Sequence, residues 1–271
     1  MGIDRLSKQA ESSARWGDRG RTLVIAHRGA SADAPENTMR AFRLAKEQGA
    51  DGIELDVMCA RSGEVVVFHD DDLCRFDGGK PCSHRRRHTR VRESDYDTLK
   101  RCDLGSGERM PLLEEVLEET GPDLLVNIEL KSAPTWLSRL RDEELPVRVA
   151  EIVRRQRAAR RVLISSFDPL LLRRYAVLDP PVVRGLLFAS DQSLALRRGW
   201  AAPFIRPLAL HPEAKLCTAA RMAEWRRSGY ALHVWTVDDP GTLRFLKAHG
   251  VEGIITNRPA EAVKVLTGQG Q

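Results

Sequence analysis

Three acids, two histidines, an arginine and a lysine stand at spacings that could serve one reaction. Glu54-Leu55-Asp56 sets two carboxylates two residues apart. Alternate residues on a strand share a face, so the two acids point together while Ile53, Leu55 and Val57 point the other way. Inward-facing carboxylates are costly without cations. Salt bridges to Lys or Arg would satisfy them, and so would a hard divalent ion, which prefers oxygen ligands. Asn127, Glu129 and Lys131 repeat the spacing. Glu129 could complete a three-carboxylate metal site, and Lys131 could hold a phosphate as a point charge. The competing reading is an internal Glu129–Lys131 pair, strained because same-strand neighbours two apart are separated by about 6.6 Å.

His27-Arg28-Gly29 joins an imidazole to a guanidinium with five donors, a natural anion partner. His69-Asp70 supplies a second imidazole. Pro35-Glu36-Asn37-Thr38 opens a helical stretch, with Asn37 suited to the N-cap. Trp235 could wall the apolar part of a substrate or simply fill a core.

The elements around these residues give them a common place. Strand-like runs at Thr22–His27, Gly52–Val57, Leu124–Leu130, Arg161–Ser166, Val182–Phe188, Pro207–His211, Ala231–Val237 and Gly253–Thr256 alternate with helix-period stretches. Such alternation predicts a parallel sheet covered by helices. Eight units in a chain of 271 residues suit an α/β fold of the (β/α)8 TIM-barrel type, with a doubly wound open sheet as the runner-up. The chemical residues then fall at the C-terminal ends of the first strands, the active-site face of such barrels.

Glu64–His69 follows the second strand too closely for a parallel crossover, which needs about a dozen residues. It must return as a hairpin. A two-residue turn at Ser62-Gly63 would set His69 opposite Asp56, on the same face. Residues 70–110 interrupt the alternation and read as a small insertion capping the barrel mouth. Residues 1–21 are polar and read as a flexible extension before a single domain over 22–271.

Composition narrows the class. Apolar residues are 42% and charged residues 30% of the chain, as in soluble globular proteins. No apolar run approaches the roughly 18 residues that cross a bilayer. With no secretory signal pattern, the expected location is cytoplasmic. The five cysteines, Cys59, Cys74, Cys82, Cys102 and Cys217, form no C-x-x-C pair and are expected as reduced thiols. The net charge is +5, and His84–Arg92 packs five arginines into nine residues. That run is expected to be a solvated loop. It could touch an anionic membrane peripherally, but without aromatic residues it offers bases no stacking platform, and no nucleic-acid partner is expected.

These stretches resemble the glycerophosphodiester phosphodiesterase family. The likeness rests on AHRGASADAPENT (26–38), GIELDV (52–57), VVVFHD (65–70), NIELK (127–131), ISSFDP (164–169), HVWTVDD (233–239) and GIITNRP (253–259). It spans nearly the whole chain after residue 22. The resemblance implies a barrel with a family-specific insertion, metal ligation by Glu54, Asp56 and Glu129, and acid–base roles for His27 and His69. It implies phosphate contacts from Arg28 and Lys131, and Mg²⁺ or Ca²⁺, with Mn²⁺ as a substitute. The implied reaction hydrolyses a small glycerophosphodiester to an alcohol and sn-glycerol 3-phosphate, a step of lipid and glycerol metabolism. Two departures are visible. Cys74–Gly79 replaces an R-T-T-x-G-like stretch, and Asn257 stands where many relatives carry Asp. A lysophospholipase D or sphingomyelinase D-like enzyme would use much the same site with an apolar rim. A non-catalytic anion- or headgroup-binding barrel is the rival from another class.

Overall fold

The computed structural model describes residues 10–17, 19–76, 89–133 and 144–268. It contains nine strands: β1 (Leu23–His27), β2 (Gly52–Cys59), β3 (Val65–Val67), β4 (Leu125–Leu130), β5 (Val162–Ser166), β6 (Val183–Phe188), β7 (Ala209–Pro212), β8 (Ala231–Val234) and β9 (Gly253–Thr256). All but β3 are parallel, and they close into a barrel because β1 pairs with β9 on one side and β2 on the other. This is the expected (β/α)8 barrel. β2 and β4 are buried along almost their whole length, as strands must be when helices cover one face and side chains fill the other.

The helices are α1 (residues 10–16), α2 (Met39–Glu47), α3 (Tyr96–Leu99), α4 (Leu113–Thr120), α5 (Glu144–Arg155), α6 (Pro169–Leu178), α7 (Ala202–Ile205), α8 (Ala219–Arg227), α9 (Pro240–Ala248) and α10 (Pro259–Thr267). Two of them start through one device. Asp168 accepts from Leu170 N at 2.8 Å and Asp239 from Thr242 N at 2.7 Å, each just before a proline in the first turn. The connection from β6 to β7 carries only a 3-10 turn (Leu196–Arg198) and the four-residue α7, both too short for an apolar period to be read from sequence. The extension over 1–21 lies partly outside the described residues. Within it, Trp16 at the end of α1 is fully buried at the barrel floor, tilted against His233, whose Nε2 donates to the Trp16 carbonyl at 2.8 Å.

β3 returns antiparallel on β2, but the register differs from the expected one by a residue. Val57 faces Val67 and Met58 faces Val66. Phe68 N donates to Asp56 O at 2.9 Å, so Phe68 and not His69 stands opposite Asp56. The reason is the turn. Ala60 N bonds Glu64 O and Gly63 N bonds Ala60 O, a three-residue loop with Gly63 at φ +101°.

Above the hairpin a second small core joins Met58, Val66 and Phe68 to Val91, Leu99, Leu104 and Met110 of the insertion. Residues 77–88, with Cys82 and the first half of the arginine run, lie outside the described residues. Cys59, Cys102 and Cys217 are reduced, as expected, but Cys74 is disulfide-bonded, against the expectation. Residue spacing alone carries no thiol-to-thiol distance, and that distance decides bonding.

Candidate active site

The sheet register assembles the acids. His27 lies beside Glu54 across the β1–β2 pairing, Glu54 beside Asn127 and Asp56 beside Glu129 across β2–β4. One face of three neighbouring strand ends therefore carries all three carboxylates. Glu54, Asp56 and Glu129 are buried, and one oxygen of each lies within 4.8 Å of the others. Two cations reach them. Arg28 Nε sits 3.2 Å from Asp56, and Lys131 Nζ sits 3.2 Å from Glu129 and 3.5 Å from Asp56. The Glu129–Lys131 contact expected to be strained is direct, because β4 ends at Leu130 and Lys131 is released from the strand spacing.

Two cations do not neutralise three buried acids. Burial, with Asp56 and Glu129 close by, pushes the Glu54 carboxyl well above the usual range. Glu129 is raised chiefly by burial, with Lys131 pulling against it. At Asp56 burial opposes ionisation, yet Lys131, Arg28, His69 and Asn37 outweigh it and hold the carboxyl low. A divalent cation among the three oxygens would supply the missing charge. Donor type, burial and convergence all fit a hard ion.

The loops after β1 hold the first histidine and the arginine. Arg28 and Gly29 both take positive φ, +55° and +83°. Glycine is required at 29, since a Cβ there would lie 2.6 Å from the Ala41 backbone. This tight turn aims Arg28 N at Glu54 Oε2 (3.1 Å) and the guanidinium at Glu36 (3.0 Å) and Asp56. His27 Nδ1 meets Asn257 Oδ1 at 2.8 Å, and its Nε2 faces Glu54 Oε2 at 4.0 Å. Asn257 is itself oriented: its Nδ2 donates to Asp238 Oδ2 at 2.6 Å, leaving Oδ1 toward the imidazole. Nδ1 of His27 is therefore the protonated nitrogen of the neutral ring. Burial first, then Arg28, lowers the His27 pKa.

His69 enters from the far side. The strand alternation that would turn it away ends with β3 at Val67, and His69 lies on the following bend. Its Nδ1 pairs with Asp70 Oδ1 at 2.7 Å. Arg75 Nε bonds the other oxygen of Asp70 at 2.5 Å and reaches Glu36 with Nη2 at 2.7 Å. Burial works against the charge on Asp70, but the bonds from His69 and Arg75 hold its pKa down.

A cavity of about 200 Å³ joins these parts, lined by His27, Arg28, Glu54, His69, Glu129, Lys131 and Trp235 among others. Seven of the eight residues expected from sequence line it, and the eighth, Asp56, backs it through Arg28 and Lys131. Trp235 is fixed by its Nε1 bond to His211 O at 2.7 Å and meets Phe167 edge-on at 5.5 Å. With Leu187 and Ile255 they form the apolar side of the cavity.

Three further residues belong to the site: the sequence suggested Asn37 as a cap, set Asn127 on the face of Glu129 and Lys131 without a role, and did not single out Ser165. Asn37 is not the N-cap: Thr38 caps α2, and Asn37, at φ +56°, is buried with Nδ2 donating to Asp56 Oδ2 at 3.0 Å. A polar residue before a capping threonine was the available signal. Ser165 and Asn127 are buried on the cavity wall, and neither side chain has a hydrogen-bond partner among the described residues. Ser165 lies beside Glu129 in the β4–β5 register, so the pairing order was its signal.

Such a set can bind a phosphodiester anion and exchange protons on two sides of it. Comparison with known proteins supplies the family. The model of the glycerophosphoryl diester phosphodiesterase family matches residues 27–261. The chain belongs to this family. It is 33% identical over 258 residues to a glycerophosphodiester phosphodiesterase of Caldanaerobacter subterraneus subsp. tengcongensis, covering 91% of this chain and 98% of that one. A crystal structure of a Thermotoga maritima glycerophosphodiester phosphodiesterase is 29% identical, with TM-score 0.71, over 90% of this chain and 98% of that one. An Oleispira antarctica phosphodiesterase in complex with the product sn-glycerol-3-phosphate superposes with TM-score 0.79 at 26% identity, over 92% of this chain and 98% of that one.

This glycerophosphodiester phosphodiesterase is thus a phosphoric diester hydrolase, and its buried acid trio is a group that could hold a metal. The two departures noted in the sequence fall in different places. The Cys74–Phe76 turn brings Arg75 to Glu36 and Asp70, behind Arg28 and His69. Asn257 touches His27 itself.

Proposed function

We propose that this chain hydrolyses glycerophosphodiesters to an alcohol and sn-glycerol 3-phosphate with a divalent ion, Mg²⁺ or Ca²⁺, held by Glu54, Asp56 and Glu129. The observation that carries the reading is the convergence of three buried carboxylates, short of positive charge, on a cavity flanked by two differently partnered histidines. The bound ion supplies Lewis-acid neutralisation of phosphate charge. Arg28 and Lys131 bind the phosphate oxygens and stabilise charge that grows in the transition state.

His27, with Nδ1–H committed to Asn257 and its pKa lowered, presents an unprotonated Nε2 and accepts the nucleophile's proton. His69, its ring oriented by the bond between Nδ1 and Asp70 Oδ1, gives a proton to the leaving alkoxide. Asn127 and Ser165 offer hydrogen bonds to glycerol hydroxyls, and Trp235 and Phe167 cover the carbon skeleton. A cavity of about 200 Å³ suits a glycerol phosphate with a small head group better than an acyl-bearing lysolipid.

The test measures glycerol 3-phosphate released from glycerophosphocholine. EDTA should abolish turnover and Mg²⁺, Ca²⁺ or Mn²⁺ restore it. Glu54→Ala and His27→Ala should stay folded and lose about 10²-fold or more in kcat. Full activity in metal-free enzyme, or wild-type turnover in either variant, would overturn the assignment.

A further inference from the structure

The apolar residues left on the surface are not scattered. Among the described residues eight large hydrophobic side chains are exposed, and six of them fall between Leu170 and Phe204. Leu170 and Val177 lie seven residues apart on α6, 66% and 78% exposed, so they share one helix face with Arg173 and Arg174 between them. Leu194, Leu196, Trp200 and Phe204 follow on the β6–β7 connection, with Trp200 60% and Phe204 77% exposed. α6 packs against α7, so the two groups form one flank of the barrel. Nothing in the catalytic cavity uses these side chains.

The charge of this flank is as uneven as its hydrophobicity. Residues 169–206 contain six arginines (173, 174, 184, 197, 198, 206) and two aspartates (179, 191), hence 6 − 2 = +4 of the +5 carried by the whole chain. One charge of each sign is withdrawn, since Asp179 is buried and pairs with Arg154 at 3.7 Å and Arg184 lies half-buried on β6, bonded to the Val182 carbonyl. Beside Trp200 a groove of about 750 Å³ runs to α8 and the turn after it, where Arg221, Tyr230 and one acid, Glu224, join Arg197 and Arg198.

Exposed Trp, Phe and Leu among arginines, with almost no acid, match a surface that is apolar within and anionic at its face. We propose that this flank, from Leu170 to Phe204, docks the enzyme peripherally on anionic phospholipid membranes. Trp200 and Phe204 enter the headgroup–acyl boundary, and Arg173, Arg197 and Arg198 meet lipid phosphates. A protein partner of matching acidity would need its own apolar pocket for each of these side chains, whereas a bilayer accepts them without prior fit. The flank is a different stretch of the chain from the arginine run at 85–92. It descends the barrel wall from the strand ends after β5 and β6, so side-on docking leaves the mouth open to a water-soluble substrate.

Co-sedimentation of the full chain with vesicles decides the matter. Vesicles of phosphatidylcholine containing phosphatidylglycerol should retain the protein in a salt-sensitive way, and pure phosphatidylcholine should not. Trp200→Ser with Phe204→Ser, and separately Arg197→Glu with Arg198→Glu, should each weaken retention by about tenfold or more. Turnover of glycerophosphocholine should stay at the wild-type level in both. An Arg85→Gln, Arg86→Gln, Arg87→Gln variant should bind like wild type. The proposal is overturned if wild type ignores lipid charge, if both flank variants bind normally, or if the 85–87 variant alone loses binding. It is equally overturned if the flank variants change only the oligomeric mass in sedimentation velocity, which would make this flank an interface between copies.

Discussion

Asp238→Asn tests how the imidazole proposed as the base is set, without touching the residues proposed to hold substrate or metal. Asp238 lies outside the cavity lining, yet it accepts from Asn257 Nδ2 (2.6 Å), Asn257 N (2.8 Å) and Thr256 Oγ1 (2.8 Å). In the variant one amide oxygen can keep the Asn257 N and Thr256 bonds. The new amide nitrogen then confronts the Asn257 amide nitrogen, donor against donor. Asn257 relieves this by flipping, which turns its NH₂ toward His27 Nδ1. That nitrogen must then accept, the ring proton moves to Nε2, and the face toward Glu54 loses its lone pair. The bond that enforces the native orientation is charge-assisted and worth about 1.5–3 kcal/mol. Losing it should cut the fraction of correctly poised enzyme, and so kcat, by about 10- to 100-fold. KM should hardly move, because no substrate contact is lost. Steady-state kinetics with saturating metal, circular dichroism for the fold and ¹⁵N chemical shifts of the His27 ring give the readings. A folded variant with wild-type kcat, or one in which His27 still carries its proton on Nδ1, would refute the reasoning.

Two further outcomes follow from buried polar groups. Asn127→Leu removes a side chain whose amide has no partner among the described residues, so it should raise stability by about 1–3 kcal/mol in urea titrations while kcat/KM falls at least about tenfold; unchanged turnover would remove Asn127 from substrate binding. His211 and His233 face one another inside the barrel at 4.9 Å, and burial depresses both pKa values, His233 to about 4. Between about pH 6.5 and 4 the unfolded chain therefore binds protons that the fold refuses, and stability present above 6.5 is lost as pH falls. His211→Leu should flatten this slope in thermal melts taken across that window, and an unaltered slope would show that other groups cause the acid loss.

Most of the barrel was legible because its signals are local and repeated. Eight apolar runs with helical stretches between them leave few folds that bury both faces of every strand, and the strands lie within about two residues of their expected bounds at most ends. The acid trio was legible for a related reason: two-residue spacing survives translation into structure while the backbone is extended, as it is from Gly52 to Cys59 and from Leu125 to Leu130. The β6–β7 connection was not legible, since α7 is a single turn. Nor was the disulfide at Cys74, because it depends on a through-space distance.

The details that strand periodicity does not reach share one cause. Asn37, Arg28 and His69 all sit where the chain has just left a regular element, at φ +56°, φ +55° and on a bend after β3. Face-alternation rules lose their meaning there. A hairpin one residue out of register would have turned His69 away from Asp56 had β3 continued, and it is the early end of β3 that lets His69 face the same cavity. Barrel active sites are built at strand ends, so they take rigid carboxylates from the last regular residues and adjustable groups from the first irregular ones. In this chain the metal-binding half of the proposed site obeys strand periodicity. The groups proposed to move protons and grip phosphate depend on turn geometry, which a sequence encodes less legibly: a glycine at 29, a threonine cap at 38 and an asparagine at 257 held by an aspartate nineteen residues away.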